Sequence, residues 1–227
     1  SPVSMSLIYS LNAFDHFDAI QVISSYQLAE MKEIKLKRKL KIKIFKSRYL
    51  FVDKIVKNFK PNKSRTDVLI APTWNSSFYK LNCHKILNNC LKEHKINFVL
   101  RPHPMSIKKN EISINDLKRD NIKVDNKKFL NFEDFNFLIS DWSGIFIEYA
   151  MIFKRRAFLI NTPKKMNNKD YLIYENKPIE ITLRNILAKS YDLEDISSMI
   201  EEISHQIKSK SNLEDSGINK ILIEKFY

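Results

Sequence analysis

Glycine is almost absent: the 227 residues contain two. That excludes a Walker-type phosphate loop and the glycine fingerprint of dinucleotide enzymes, since both need several glycines at fixed spacing. Cysteine is equally scarce. Cys83 and Cys90 fall on one face of a predicted helix, roughly 10 Å apart along its axis, too far for a disulfide. His84 and His94 do not complete a zinc-ligand spacing, so free thiols in a reducing cytoplasm are expected, with no metal and no cofactor. No apolar run reaches the ~18 residues of a spanning helix. There is no signal peptide, and the start at Ser1-Pro2-Val3 without methionine reads as a piece of a longer protein.

What the chain has in excess is positive charge, +13 net. Such a surface attracts phosphates, whether of nucleotides, polyphosphate polymers, nucleic acid or lipid head groups. Lysine is spread along the chain with abundant isoleucine and asparagine. That pattern follows from AT-rich coding as readily as from a binding face. A basic module for nucleic acid is the weakest reading, because no nucleic-acid motif is present and nucleic acid is not an expected partner.

Order along the chain is more informative. Ala19–Ser24 predicts a strand. A helix runs from Ser24-Ser25 to about Leu36, with Gln27, Glu30 and Glu33 on its solvated face. Lys41–Phe45 alternates like a half-buried strand, and Tyr49–Phe59 suits a helix. Lys60-Pro61-Asn62-Lys63-Ser64-Arg65 is a polar breaker and marks a boundary between residues 1–60 and 61–227. Beyond it, strands at 68–71, 97–100 and 122–124, an apolar run of strand length within Asp134–Ile139 that breaks at Ser140, and a strand at 157–160 alternate with helices at 81–94, 114–119, from Ile145 through Ile152, and 193–208. Ile179-Glu180-Ile181 reads as extended, and a last helix covers Ile218–Phe226. Apolar strands alternating with amphipathic helices predict an α/β fold, a Rossmann-type parallel sheet flanked by helices.

In such a sheet ligands bind beyond the carboxyl ends of the strands. The unusual residues stand there: Pro72-Thr73-Trp74, Arg101-Pro102-His103-Pro104, Asp141-Trp142-Ser143-Gly144 and Thr162-Pro163-Lys164. Ser143 and Gly144 open a helix whose first N–H groups make an anion site. A glycine there, in a chain that avoids it, suggests close backbone approach to a ligand; an ordinary helix cap is the equal alternative. Arg101 offers a bidentate phosphate clamp and His103 a proton near neutral pH. If the proline-stiffened loop is extended, the two share a side. Asp141 would bond sugar hydroxyls, cap the helix or orient His103. Glu148 fits a ribose hydroxyl or a plain surface carboxylate. Trp74 and Trp142 stack on a base or pack the core. Lys164-Lys165 attracts a phosphate chain or is a solvated pair.

Taken together, Arg101-Pro102-His103-Pro104, Ser140-Asp141-Trp142-Ser143-Gly144 with Glu148-Tyr149-Ala150, Asn161-Thr162-Pro163-Lys164-Lys165 with Asn167 and Tyr171, and Pro178-Ile179-Glu180 with Arg184 resemble the CDP-glycerol glycerophosphotransferase family, the teichoic-acid and capsule polymerases. The likeness covers most of residues 66–190. It implies a GT-B architecture of two Rossmann-like domains, with 61–227 binding the donor and 1–60 the end of the first domain. It also implies metal-independent transfer of glycerol phosphate or a related polyol phosphate from a CDP-activated donor to a growing surface polymer, on the inner face of the plasma membrane. By the same resemblance His103 is catalytic and Ser143 contacts the diphosphate. The family's catalytic base lies in a first-domain stretch not found here; Ser1-Pro2-Val3-Ser4 resembles the segment just after that stretch. A GT-B glycosyltransferase or epimerase acting on a nucleotide sugar is the alternative.

Overall fold

The apolar runs Val68-Leu69-Ile70, Phe137-Leu138-Ile139 and Ala157-Phe158-Leu159-Ile160 leave no polar face, so each must be covered on both sides. The computed structural model describes residues 2–10, 12–60, 67–74, 77–209 and 216–226. In it these runs are the centre of a five-stranded parallel sheet. Its strands are β3 (Val68–Ile70), β4 (Phe98–Leu100), β5 (Phe137–Ser140), β6 (Ala157–Ile160) and β7 (Ala188–Tyr191), in the order β4-β3-β5-β6-β7. A separate parallel pair, β1 (Ala19–Val22) and β2 (Lys43–Lys46), forms a small sheet near the start of the chain.

The helices are α1 (Met5–Ile8), α2 (Ser25–Lys37), α3 (Leu50–Asn58), α4 (Cys83–Glu93), α5 (Pro104–Lys108), α6 (Ile114–Arg119), α7 (Ile145–Phe153), α8 (Ile179–Leu187), α9 (Ile196–Ser209) and α10 (Ser216–Phe226). Leu69, Leu138 and Leu159 pack on one face of the large sheet against α3, α7, α8 and α10 through Val52, Phe146, Leu183 and Leu222. Ile70, Ile139 and Phe158 pack on the other against α4, α6 and α9 through Leu87, Leu117 and Met199. Met5, Val22, Met31 and Ile42 form a third, smaller core around β1 and β2. Of the breaker taken as the domain boundary, 60–65, all but Lys60 lies outside the described residues, and α3 just before it packs on the large sheet.

Scarce glycine leaves its mark at the helix ends. Lys39, Lys95, Asn110 and Asn121 all adopt a left-handed φ of 53–56° one residue past a helix cap. Each is followed by an N–H that reaches back to the helix: Leu40 to Lys35 O, Ile96 to Leu91 O, Glu111 to Ser106 O and Ile122 to Leu117 O, at 2.8–3.0 Å. This is the Schellman closure, here made without glycine.

Several expectations are corrected. Gln27 and Glu30 are buried, not solvated. Glu30 accepts the hydroxyls of Ser4 (2.6 Å) and Ser6 (2.7 Å) and the Met5 N–H (3.0 Å), and Gln27 donates to Val3 O at 2.8 Å. The first residues of the chain fold back over that helix face. Ile179–Ile181 opens a helix instead of a strand, and Ile122–Val124 is reduced to one bridge between Val124 and Leu100. By contrast the alternation over Lys41–Phe45 does mark a half-buried strand: Ile42 is buried and Ile44 packs on the small core, while Lys41, Lys43 and Phe45 are exposed.

Glu180 ties the two parts together. It is buried, and its Oε1 accepts the Ser4 N–H at 2.9 Å. Asn168 Nδ2 donates to Ser6 O, and Glu33 accepts the N–H groups of Glu175 and Asn176. Burial lifts the Glu180 carboxyl from 4.5 to about 7, and neighbouring Glu30 adds to the rise. The folded state therefore holds this proton more tightly than the unfolded chain does. The stabilisation is complete below about pH 4.5 and is lost as pH rises towards about 7, on the order of 3 kcal/mol in all. Urea unfolding of the chain and of Glu180→Gln across this window should show the wild-type stability falling relative to the variant; parallel profiles would refute the assignment. Lys95→Gly should stabilise by about 0.5–1 kcal/mol, as relief of the left-handed conformation outweighs the added freedom of the unfolded chain.

Candidate functional site

From β3 the chain moves outward to β4 and then returns past β3 to β5. The loops after β3 and β5 thus leave in opposite directions and open a crevice at this switch point. Two bonds fix its floor. Asp141 Oδ1 accepts the Thr73 N–H at 2.7 Å, and the Ser140 hydroxyl donates to Ala71 O at 2.6 Å.

Lys165 crosses the same place. Its Nζ donates to Thr73 Oγ1 at 3.0 Å and lies 4.3 Å from the centre of the Trp74 ring. Burial pulls its ammonium from 10.5 down to about 8, against the opposing pull of Asp141, Glu180 and Glu111. Lys109 Nζ stands 4.4 Å from the Trp74 ring centre, and the His103 ring is 6.2 Å from it. Trp74 is therefore a half-buried aromatic plate flanked by two ammonium groups and an imidazole.

His103 caps α5, the short helix that Pro104 begins. Its Nδ1 accepts the Met105 N–H at 3.1 Å. A nitrogen that accepts carries no proton, so the neutral ring holds its proton on Nε2. Burial lowers the imidazole's proton affinity and the Lys165 charge lowers it further. At neutral pH the ring is an Nε2–H donor of fixed tautomer.

Trp142 Nε1 donates to Thr162 O at 2.8 Å, and its ring lies 4.3 Å from the Arg184 guanidinium carbon and 5.9 Å from Lys164 Nζ. Arg184 is buried and donates to Asp141 O (2.7 Å), Ile160 O (3.0 Å) and Asn161 Oδ1 (3.0 Å). It clamps the ends of β5 and β6 together, and burial lowers it to about 10.

The remaining expected residues are dispersed. Arg101 donates to Asp125 Oδ2 at 2.7 Å, while His103, the extended cap residue of α5, faces Trp74. Glu148 accepts the Tyr49 hydroxyl at 2.6 Å and joins α7 to the start of α3. Lys164 is exposed, in contrast to Lys165. Ser143 is half-buried, and Gly144 precedes α7 with φ −61° and ψ −8°, a right-handed geometry open to any residue. The glycine is not required by the backbone. No side chain caps α7 there.

Thr73, Trp74, His103 and Asp141 are thus gathered at one edge, with Trp142 and Lys164 alongside. Lys165, Lys109 and Arg184 complete the cluster. Nothing in the sequence singles out Lys109. For Lys165 the signal is present, since it follows Lys164 directly, but alternation cannot tell which lysine of a pair turns inward. Among the described residues no three His, Cys, Asp or Glu side chains are placed to hold a metal ion, and no helix is long and apolar enough to cross a membrane.

No protein-family model matches the chain, and no curated protein sequence matches it. Among solved structures, the wall teichoic acid polymerase TagF superposes at a TM-score of 0.44 with 12% identity. The superposition covers 99% of this chain and 65% of that one, so the chain spans less than two thirds of that polymerase. Similarity at that level fixes neither family nor function.

Proposed function

We propose that the crevice between the loops after β3 and β5 binds the diphosphate of a nucleotide-activated donor. On this reading the chain is the donor-binding part of a transferase that moves glycerol phosphate, or a related polyol phosphate, from a CDP-activated donor to a surface polymer. One observation carries the reading: Lys165, a buried cation, meets the Trp74 plate and the neutral His103 ring at the switch point of a parallel sheet. Desolvated positive charge favours a bound anion over solvent. The Nε2–H of His103 would donate to an oxygen of the leaving phosphate, and the open start of α7 at Ser143 and Gly144 would supply backbone N–H groups. The shape of Trp74 suits a base or sugar lying along it, with Lys109 beside it. The choice of a cytidine donor rests on the motif resemblance. Exposed Leu36, Phe45, Leu50 and Phe51 near the lysine-rich stretch 35–46 support a role against an anionic membrane surface.

Calorimetric titration with CDP-glycerol, CMP and UDP-sugars tests the reading. Binding of the cytidine ligands is expected; preference for a UDP-sugar would move the assignment to a nucleotide-sugar transferase, and no nucleotide binding by the folded chain would refute both. Affinity for the diphosphate should fall as pH rises through about 8, because Lys165 loses its proton there, and Lys165→Met should abolish that dependence. In an intact enzyme His103→Ala should cut turnover roughly 10²–10⁴-fold if the ring moves a proton in the transition state; unchanged turnover would remove it from the mechanism.

A further inference from the structure

After α6 the chain meets the sheet once and leaves it. Val124 forms a single bridge to Leu100, whose N–H donates to Lys123 O and whose O accepts the Asp125 N–H, both at 2.9 Å. From Asp125 to Phe135 the chain then runs beside Leu69 of β3 and Val99 of β4. Elsewhere on that face of the sheet α3, α7, α8 and α10 pack on the strands. Here the loop leaves a cavity of about 500 Å³, within the ~300–1,000 Å³ of pockets that hold small molecules. It shares no lining residue with the crevice at the carboxyl edge.

Leu69, Val99, Leu130 and Phe135 are its apolar part. Val99 and Leu130 are only half-buried, so the protein itself does not cover them completely. Asp67, Asp125 and Asp134 stand around them with Lys123 and Lys127. Arg101 holds Asp125 at 2.7 Å, and Lys127 Nζ lies 3.5 Å from Asp134. With Arg101 included, three carboxylates meet three cations, so an anion gains no net attraction here although the whole chain carries +13. An ion-paired carboxylate still accepts further hydrogen bonds, since it has about four lone-pair sites. Asn97 and Asn131 add amides, which both donate and accept.

This lining discriminates between ligands. A purely apolar molecule would strip water from the carboxylates and amides without replacing its hydrogen bonds. An added peptide strand would find β4 only three residues long, with Leu100 already bridged. A ring with hydroxyls round its rim and C–H groups on its faces satisfies both parts at once. We propose that this cavity binds a neutral sugar unit, its hydroxyls bonded by the carboxylates and amides and its C–H face set on Leu69, Val99 and Leu130. The unit comes as a free saccharide or as one ring within a polymer. The site is independent of whichever donor the crevice takes.

Saturation-transfer NMR on the full chain reads the site out. The probes are glucose, galactose, N-acetylglucosamine and the neutral trisaccharides maltotriose and chitotriose. Transfer to at least one of them is expected. Asn97→Ala, which trims an exposed side chain and so spares the fold, should weaken that sugar roughly threefold or more. Leu130→Trp, which fills the cavity, should abolish its binding. Lys165→Met, in the crevice, should bind it as the wild type does, and inorganic phosphate should not compete. Saturation of the internal ring of a trisaccharide would identify a polymer unit as ligand; saturation of a terminal ring alone, a free or terminal sugar. No transfer from the wild type, undiminished binding by Asn97→Ala or by folded Leu130→Trp, its loss in Lys165→Met, or competition by phosphate would overturn the proposal.

Discussion

Asp141 is a carboxylate with no exposed surface at the carboxyl end of the central strand. Burying such a charge is tolerable only with close compensation. Its Oδ1 takes the Thr73 N–H, its backbone carbonyl takes Arg184, and its charge draws on both Lys165 and Arg184. Each of these partners is held by a different loop or helix. The crevice edge is therefore positioned by one buried charge whose satisfaction requires β3, β5, the loop after β6 and α8 to meet. The aromatic plate and imidazole above it inherit their places from that network.

The same economy governs the rest of the chain. With two glycines available, five helices among the described residues close on lysine or asparagine in left-handed conformation, and the sheet relies on continuous apolar runs for cohesion. Buried polar groups are concentrated where segments distant in sequence meet. Ser4, Ser6 and Glu30 close the small core, and Glu180 joins it to the large sheet.

Strong local periodicity made most elements legible. The runs of β3, β5 and β6 and the amphipathic stripes of α4 and α9 stand out because they repeat over whole elements. The failures are equally physical. In α8 the first residues, Ile179-Glu180-Ile181, are too short and too β-branched to show that Leu183 and Leu187 continue a helical stripe. In β7 the edge position leaves Lys189 and Ser190 exposed, so no apolar run announces a strand. Burial of Gln27 and Glu30 depends on bonds spanning 24 to 26 residues, which no local pattern reveals. At the site, the loops at the strand ends were readable from the order of motifs. The separation of Arg101 from His103 and the inward turn of Lys165 were not, because both follow from how α5 and the loop after β6 pack.

The chain has only two tryptophans, and each lies at the carboxyl edge, so their indole N–H resonances report on it directly. In a two-dimensional nitrogen–proton spectrum, adding cytidine diphosphate should shift the Trp74 indole signal strongly, with a smaller change at Trp142. Signals that both stay fixed at concentrations where the nucleotide is bound would place it elsewhere on the molecule and contradict a diphosphate site at the β3–β5 switch point.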